Sequence, residues 1–573
     1  MGYAHEYATA IMHRGRIPME PTDFVPDWAD GPRKGKFYPG VERVPLPDGD
    51  YPAAASLDDG LRPAGDRPVD DRAAGDRTTG GFDGQFDLAA LAGMLRDSYG
   101  LTGRRLGVQA NTDLSALPHY PLANWSRGSA SGGGLYPVTL YWISGASGPL
   151  TPGVHHYSAR HHALERLLTG DVTGLVRDAL GPAAPGADTD QYFVLGVKYW
   201  QNAFKYNSFS FHAVSMDVGA CLQTWRMWAG ARGLAVEPLL WFDEERLARL
   251  LGVDSQEEGV FAVVPLRWAD QGGPAGSGTS TSPAAPAAPT PTPVRVRPRD
   301  SERSRRVLSF EALRAMQTAT LGHARARPAA GALRPAAALP PDQGRLVRPL
   351  PAARPMDLDV RSALRRRRSS FGRFAAGSPV TAEQLAACLA AADAGALLGG
   401  DSGTGHPPHL PHPAGTATPD GPVQLAKLYA FVNHVADVPP GSYEYDPHQP
   451  DGPALRQVTP GSPGEFLQRN YFLANYNLEQ AGVVLVPTVR TTAVLGAVGE
   501  RGYRLVNAVV GAIAQAVYTA SAALDLGCGV ALGFDNVSYV EELGLRGTEE
   551  APLLIMMIGN ERPRPADFRF EIV

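Results

Sequence analysis

Two stretches of this chain repeat each other at a fixed distance, which constrains it to build one supersecondary unit twice. Gly219 pairs with Gly511, Gly252 with Gly544, and Glu257–Glu258 with Glu549–Glu550, each time 292 residues on. The apolar run Tyr192–Val197 falls opposite Val484–Val489 at that same distance. Phe86–Leu95 matches Val380–Leu389, and each sets leucines on one helical face, Leu91 with Leu95 and Leu385 with Leu389. Each copy ends in an apolar strand, Val260–Leu266 and Leu553–Ile558, preceded by a long helix near Phe211–Ala229 and Tyr503–Leu524. Shared helix composition does not hold one offset across loops and glycines, so the spacing predicts a duplication.

Between the copies, Gln271 to about Arg354 runs through Gly/Ser/Thr, then Ala/Pro, then scattered arginines. Stretches such as SPAAPAAPTPTP bury too little apolar surface to offset ordering entropy and are expected to be extended and mobile. Only Phe310–Leu321 has helical spacing there. The predicted organisation is a first half over 1–270, a linker over 271–354 with one short helix, and a second half over 355–573. A chain of 573 residues, 44% of them hydrophobic, supplies a core for each half. The formal net charge of −5 offers no basic field to nucleic acid. Cys221, Cys388 and Cys528 lie far apart with no metal-ligand spacing, so neither disulfides nor a metal centre is expected, and a reducing compartment fits. Met1–Arg14 has no apolar signal core and no long apolar span is read, so the expectation is a cytoplasmic protein outside membranes.

Several strings carry chemistry. Arg367, Arg368, Ser369 and Ser370 precede a predicted helix, and guanidinium forks with hydroxyls beside exposed helical N–H groups suit a phosphate dianion. Arg127–Gly134 is glycine-rich and leads into the strand Tyr136–Ile143; backbone without β-carbons can approach a flat ring closely. Two Lys-Tyr dipeptides occur. Lys198–Tyr199 end a strand opposite Arg490, whereas Lys205–Tyr206 sit in the turn before the long helix, opposite Ala497–Val498. An ammonium beside a phenol, or a desolvated amine, makes a general base. Leu532–Asp535 form a Gly-Phe turn, and Arg562 and Arg564 follow the last strand. Asp217 lies on the long helix where the repeat has Val509, and its role is open. His406, His409 and His412 read as a solvated loop; His155, His156, His161 and His162 flank a hairpin without a carboxylate pattern beside them.

Taken in order, FYPGVERVPL (37–46), LRDSYGLTG (95–103), RGSASGGGLYP (127–137), Lys205–Tyr206 and RRSSFGRF (367–374) resemble the SagB-type dehydrogenases of the nitroreductase superfamily. The resemblance covers both halves and omits the linker. It implies an α+β fold that binds FMN across a two-fold interface, here as two nitroreductase-like domains fused into an intramolecular pseudo-dimer. It also implies phosphate contacts from Arg367, Arg368, Ser369 and Ser370 with Arg562. A ring cradle would come from Arg127, Ser131, Gly132, Gly133, Gly533 and Phe534, and the catalytic pair would be Lys205 and Tyr206. The chain departs from the family at Ala130, where a proline is usual, and by one residue in the spacing to Arg373. Each half has lost part of the set: the first offers only Asp76–Thr79, with Arg77, for phosphate, and the second only Pro413–Gly415, with Ala414, for the ring. The surviving parts are complementary and would make one complete site. The implied activity is oxidation of thiazolines or oxazolines to azoles in a ribosomal peptide. The azoline-bearing precursor peptide is the expected partner, and a cyclodehydratase complex a further candidate. Other FMN-dependent reduction using NAD(P)H, and a flavin-free docking subunit, are the alternatives.

Overall fold

The repeated apolar runs become the central strands of two antiparallel sheets in the computed structural model, each buried on both faces. The structure describes residues 2–49, 51, 55–62, 84–106, 123–182, 184–186, 188–269, 294–404, 423–562 and 569–572. In chain order the strands are β1 (Arg43–Pro45), β2 (Gly103–Leu106), β3 (Ala123–Ser126), β4 (Val138–Ser144), β5 (Gly153–Ser158), β6 (Ala163–Thr169), β7 (Gln191–Lys198) and β8 (Glu258–Pro265). They continue with β9 (Val347–Pro349), β10 (Ala426–Val432), β11 (Gly441–Asp446), β12 (Ala454–Pro460), β13 (Val483–Val489), β14 (Gly527–Ala531), β15 (Ala551–Pro552), β16 (Ile555–Gly559) and β17 (Arg569–Glu571).

The first sheet runs β1-β6-β5-β4-β7-β8 and the second β9-β12-β11-β10-β13-β16-β14, with β15 also on β13. Strand for strand the orders correspond from β1 and β9 to β8 and β16. Where the second sheet adds β14, the first has, among the described residues, only the Leu239–Val263 bridge. A small third sheet, β17-β2-β3, pairs the C-terminal strand with the first half.

Two long helices, Ser210–Gly230 and Gly502–Ala523, pack on each other. Gly219 lies against the backbone of Ala508 and Gly511 against that of Met216, so close that a Cβ at either glycine would strike it. Met216 and Ala508 are themselves 292 residues apart, so the contact is reciprocal, as at a two-fold axis. Alternation along the strands divides the core. Leu140 and Trp142 of β4 and Leu428 and Ala430 of β10 join the largest cluster, which runs through both long helices. Tyr141 and Ile143, and Tyr429 and Phe431, face two smaller clusters on the other sides of the sheets. The helix Gly502–Ala523 is long and apolar enough to cross a membrane, which the sequence reading missed; 94% of its most apolar window is buried in this core.

The predicted helix near Phe86 forms as Leu88–Ser98, with the Asp87 carboxylate accepting the Ala90 N–H. Its counterpart, Ala382–Gly395, begins with a reciprocal Thr381–Gln384 capping box. The expected linker departs from prediction. Residues 270–293 lie outside the described residues. From Val294 onward the chain is built into the molecule, since Val296, Phe310, Leu313, Met316 and Leu333 are buried. The helix Glu311–Gly322 packs on the N-terminal helix Tyr3–His13, and β9 closes the edge of the second sheet. Sparse apolar residues at helical spacing, rather than overall composition, decided this segment. The histidine hairpin also differs. His156 stands directly across from Glu165, and its Nδ1 lies 3.0 Å from that carboxylate.

Candidate functional site

Lys205 and Tyr206 end a short helix, Trp200–Tyr206, rather than lying in an open turn. Asn207, at φ +40°, then turns the chain into Ser210–Gly230. This presents both side chains to the glycine-rich loop. Gly133 has φ +63°, and a Cβ built there would stand 2.6 Å from Tyr206 Oη and 3.0 Å from Lys205 Nζ. Only glycine fits, and the backbone is left bare beside the two candidate bases. The other dipeptide is structural: Lys198 pairs with Asp300 and Glu302, and the Tyr199 hydroxyl donates to Gln317.

The loop is held from three directions. Asp217, on the first long helix, accepts from Ser131 Oγ at 2.6 Å and from the Gly132 N–H at 2.8 Å. Burial pushes its carboxyl up to about 7 against those two hydrogen bonds. Gln515, on the second long helix, accepts from the Ala130 N–H at 2.8 Å and donates to the Gly128 carbonyl at 3.2 Å. Arg367 donates to the carbonyls of Gly128 at 2.7 Å and Arg127 at 2.9 Å. Arg127 lies over the rings of Tyr99 and Tyr136 and donates to the Lys34 carbonyl. The two halves therefore meet at this loop.

The phosphate string is placed less simply. With Arg367 occupied by the loop, Arg368 is ion-paired with Glu561. Ser369 shares a hydrogen bond with Tyr518, and the buried Ser370 Oγ has no hydrogen-bond partner among the described residues. Arg562 donates to the Gly372 carbonyl, and its N–H to that of Arg373. Arg105, on β2 of the first half, joins this group. Burial, then repulsion from Arg367, lowers its guanidinium to about 10, with Arg368 adding to the repulsion. Three arginines so gathered, beside an unsatisfied hydroxyl, suit a phosphate dianion. Half-buried Gly533 and buried Phe534 form a turn reached by Arg14, which donates to the Leu532 carbonyl and lies over Phe209 and Phe534. Phe209 in turn contacts Tyr206.

Sequence reasoning missed Gln515, Arg105, Arg14 and Lys34, since none stands in a recognisable string. Gln515 alone had a signal, because the repeat sets it opposite Gln223. Arg77, Arg564, Pro413–Gly415 and the histidines 406, 409 and 412 lie outside the described residues. Ala497–Val498 end the helix Thr491–Val498.

Residues 364–560 match the model of the nitroreductase family. A solved structure described as a nitroreductase from Anabaena variabilis ATCC 29413 aligns over 98% of this chain and 100% of its own, at 22% identity and a TM-score of 0.66. That likeness shows the fold: an α+β, nitroreductase-like architecture over nearly the whole chain. A nitroreductase-type structure from Ralstonia eutropha JMP134 aligns with 40% of this chain and 95% of its own, at 19% identity and TM-score 0.26. The Escherichia coli microcin synthetase McbBCD complex with truncated pro-MccB17 aligns with 35% and 77%, at 16% identity and TM-score 0.24. These last two are too partial to bear on the site. No curated protein matches the chain in sequence.

Proposed function

We propose that the chain is an FMN-dependent dehydrogenase that oxidises azoline rings, thiazoline or oxazoline, to azoles in a ribosomally made peptide. The working site is composed from both halves of a fused pseudo-dimer. The observation that carries this reading is the junction at the glycine-rich loop, where Arg367 grips the carbonyls of Arg127 and Gly128 beside Gly133, Lys205 and Tyr206. The reciprocal glycine contacts between the long helices support the fusion.

The residues fit FMN at two ends. Arg105, Arg368 and Ser370, with Arg562 close by, would hold its phosphate; Ser131 to Gly133 and Gly533–Phe534 would line its ring. Phosphate there would take over Arg368 from Glu561, a like-for-like exchange of anions. Bound in this way, FMN supplies a two-electron acceptor. Tyr206 Oη or Lys205 Nζ would take the proton from the azoline α-carbon, while the β-carbon hydrogen would leave with its electron pair to that acceptor. Both bases face the same glycine, so a ring laid on that backbone is within reach of either.

The family match over 364–560 sustains a second reading, NAD(P)H-dependent reduction of a nitro compound, quinone or activated alkene. Two measurements separate them. Purified protein should be yellow, with bands near about 370 and 450 nm from bound flavin. On incubation with an azoline peptide, each ring should lose about 2 Da, without added nicotinamide, as two hydrogens leave for the flavin. Colourless protein refutes both readings; NAD(P)H oxidation with no mass loss selects the second.

A further inference from the structure

The two halves diverge at one corner that both build in the same way. Leu532–Asp535 stand 292 residues on from Leu240–Asp243, and each aspartate caps the helix that follows. Each turn is tied to the connection that precedes the central strand. The Asp243 N–H donates to the Ala179 carbonyl, and the Asp535 N–H to that of Asn470. The corners are therefore equivalent, but their side chains are not. The first half has buried Trp241 in its turn and continues past Ala179 with Leu180, Gly181 and Pro182. The second half has Gly533 in its turn and continues past Asn470 with Tyr471, Phe472 and Leu473.

Phe472 is 48% exposed and Leu473 53%. A lone exposed apolar side chain needs no explanation, but this pair is held in place. Buried Tyr471 before it bridges to Phe534, and buried Tyr476 after it packs on Phe371 and Phe374 of the phosphate string. The Phe472 N–H donates to the Gly533 carbonyl at 2.9 Å, and the Phe472 ring lies against Gly15. Leu473 covers Gly533. Apart from chain neighbours, a Cβ built on that glycine would stand 3.3 Å from the leucine side chain and within 4 Å of nothing else among the described residues. From Phe534 the contacts run through Arg14 to Phe209 and Tyr206, so the pair stands on the rim of the site that holds the bases. At the other corner, Arg501, three residues past Val498, donates to the Leu240 carbonyl. The corner beside Ala497–Val498 thus has Trp241 and Gly181–Pro182, and the corner beside Lys205–Tyr206 has the glycine and the apolar pair.

We infer that Phe472 and Leu473 form a specificity wall, which receives a large apolar side chain that the peptide substrate carries within a few residues of its azoline. This rests on the dehydrogenase reading and deepens it. The wall accompanies the bases and is missing where they are missing, so it is fitted to what the bases act on.

The test uses the flavin-loaded protein and synthetic azoline peptides that differ in one residue, Leu or Ala. An extended peptide advances about 3.3 Å per residue, so the exchange is made in turn at roughly four positions on each side of the ring. Fluorescence anisotropy measures binding, and mass spectrometry measures turnover separately. At one of these positions the wild-type protein should bind the Leu peptide about tenfold more tightly than its Ala twin. The ratio should hold as salt rises, since no charge carries it. Phe472→Ser with Leu473→Ser should bring the ratio to about one, whereas Phe472→Tyr with Leu473→Met, which keeps the apolar bulk, should retain it. Flavin content and melting temperature should stay those of the wild type in both, because the two side chains stand half in water. A wild-type protein indifferent to Leu at every position, or a preference that survives the double serine variant, overturns the inference. So does loss of flavin or of melting temperature in that variant, which gives the pair to the cofactor or to the fold. A wild-type dimer in sedimentation that the serine variant dissolves overturns it too, by giving the pair to a second copy. Selective binding without loss of about 2 Da per ring keeps the wall and sinks the dehydrogenase; turnover without selectivity does the reverse.

Discussion

At the scale of single residues, Asp217 shows how burial and hydrogen bonding compete. Its carboxyl is 6% exposed and titrates at about 7, above its ordinary value of 3.8. A raised acid binds its proton more tightly folded than unfolded. The stability this contributes is complete below about pH 4 and is lost as pH rises towards 7. Asp217→Asn keeps the shape and removes the titration. Melting temperatures should therefore favour the variant at pH 8, by roughly 1–3 kcal/mol in stability, and converge with wild type near pH 4. A variant less stable at both ends would mean that the carboxylate itself holds the loop. For the proposed bases, Lys205→Ala and Tyr206→Phe should each lower turnover about 10²- to 10⁴-fold while flavin stays bound. Lys198→Ala removes the partner of Asp300 and Glu302, so its effect should appear in melting before it appears in rate. Lys205 could be singled out from the sequence because a repeat assigns two similar dipeptides to different places. Arg105 could not, since only packing brings it beside Arg367 and Arg368.

At the scale of elements, the two long helices cross on glycines because only a bare Cα lets backbone meet backbone. Gly219→Ala and Gly511→Ala should each cost about 1–3 kcal/mol, and by similar amounts if the crossing is two-fold, which a denaturant titration would measure. Beside that crossing, Glu244 bridges Arg501 at 2.6 Å and Arg504 at 2.9 Å, and accepts from Gln317 of the helix Glu311–Gly322. Burial opposes its ionisation, but Arg504 and Arg501 hold its pKa below the usual carboxylate range. Glu244→Gln strands two buried guanidinium groups and should destabilise by about 3–5 kcal/mol. Little change on urea unfolding would show that the arginines find other partners. The helices and strands themselves were legible in the sequence, because apolar spacing and caps are local. Their partners were less so: nothing local announces that Gln317, inside an Ala/Pro-rich stretch, completes a buried ion cluster.

For the whole molecule, the asymmetry between halves bears on stoichiometry. The proposed composite site would join the glycine-rich loop and the Lys-Tyr pair of the first half to the arginines of the second. The opposite one would rely on Arg77, Pro413–Gly415 and Ala497–Val498. One FMN per chain is the expected content, measured as flavin released per mole of protein; two would sink the one-site arrangement. Arg368→Ala should deplete flavin from a site whose chemistry belongs to the first half. Deleting Gly272–Pro293 should leave activity nearly intact, since a tether between domains joined by an interface contributes mainly effective concentration. Deleting Glu311–Gly322 should remove soluble protein, because that helix packs on Tyr3–His13 and supplies Gln317. The segment from Val294 serves both halves: Val296 is buried in the first half's smaller cluster and Gln317 donates to Glu244, while β9 edges the second sheet.

The sequence by itself determined the repeat, the central strands, the long helices and the strings able to meet a phosphate or a flat ring. Each is encoded in spacing along the chain, which a linear reading can measure. Only the tertiary structure decided that Arg367 grips the first half's loop and that Arg105 joins the arginines. These depend on groups roughly 240 to 260 residues apart in the chain, brought together by packing of the two halves. No local pattern records such distances, because the energy that sets them comes from burial and charge pairing across the fold.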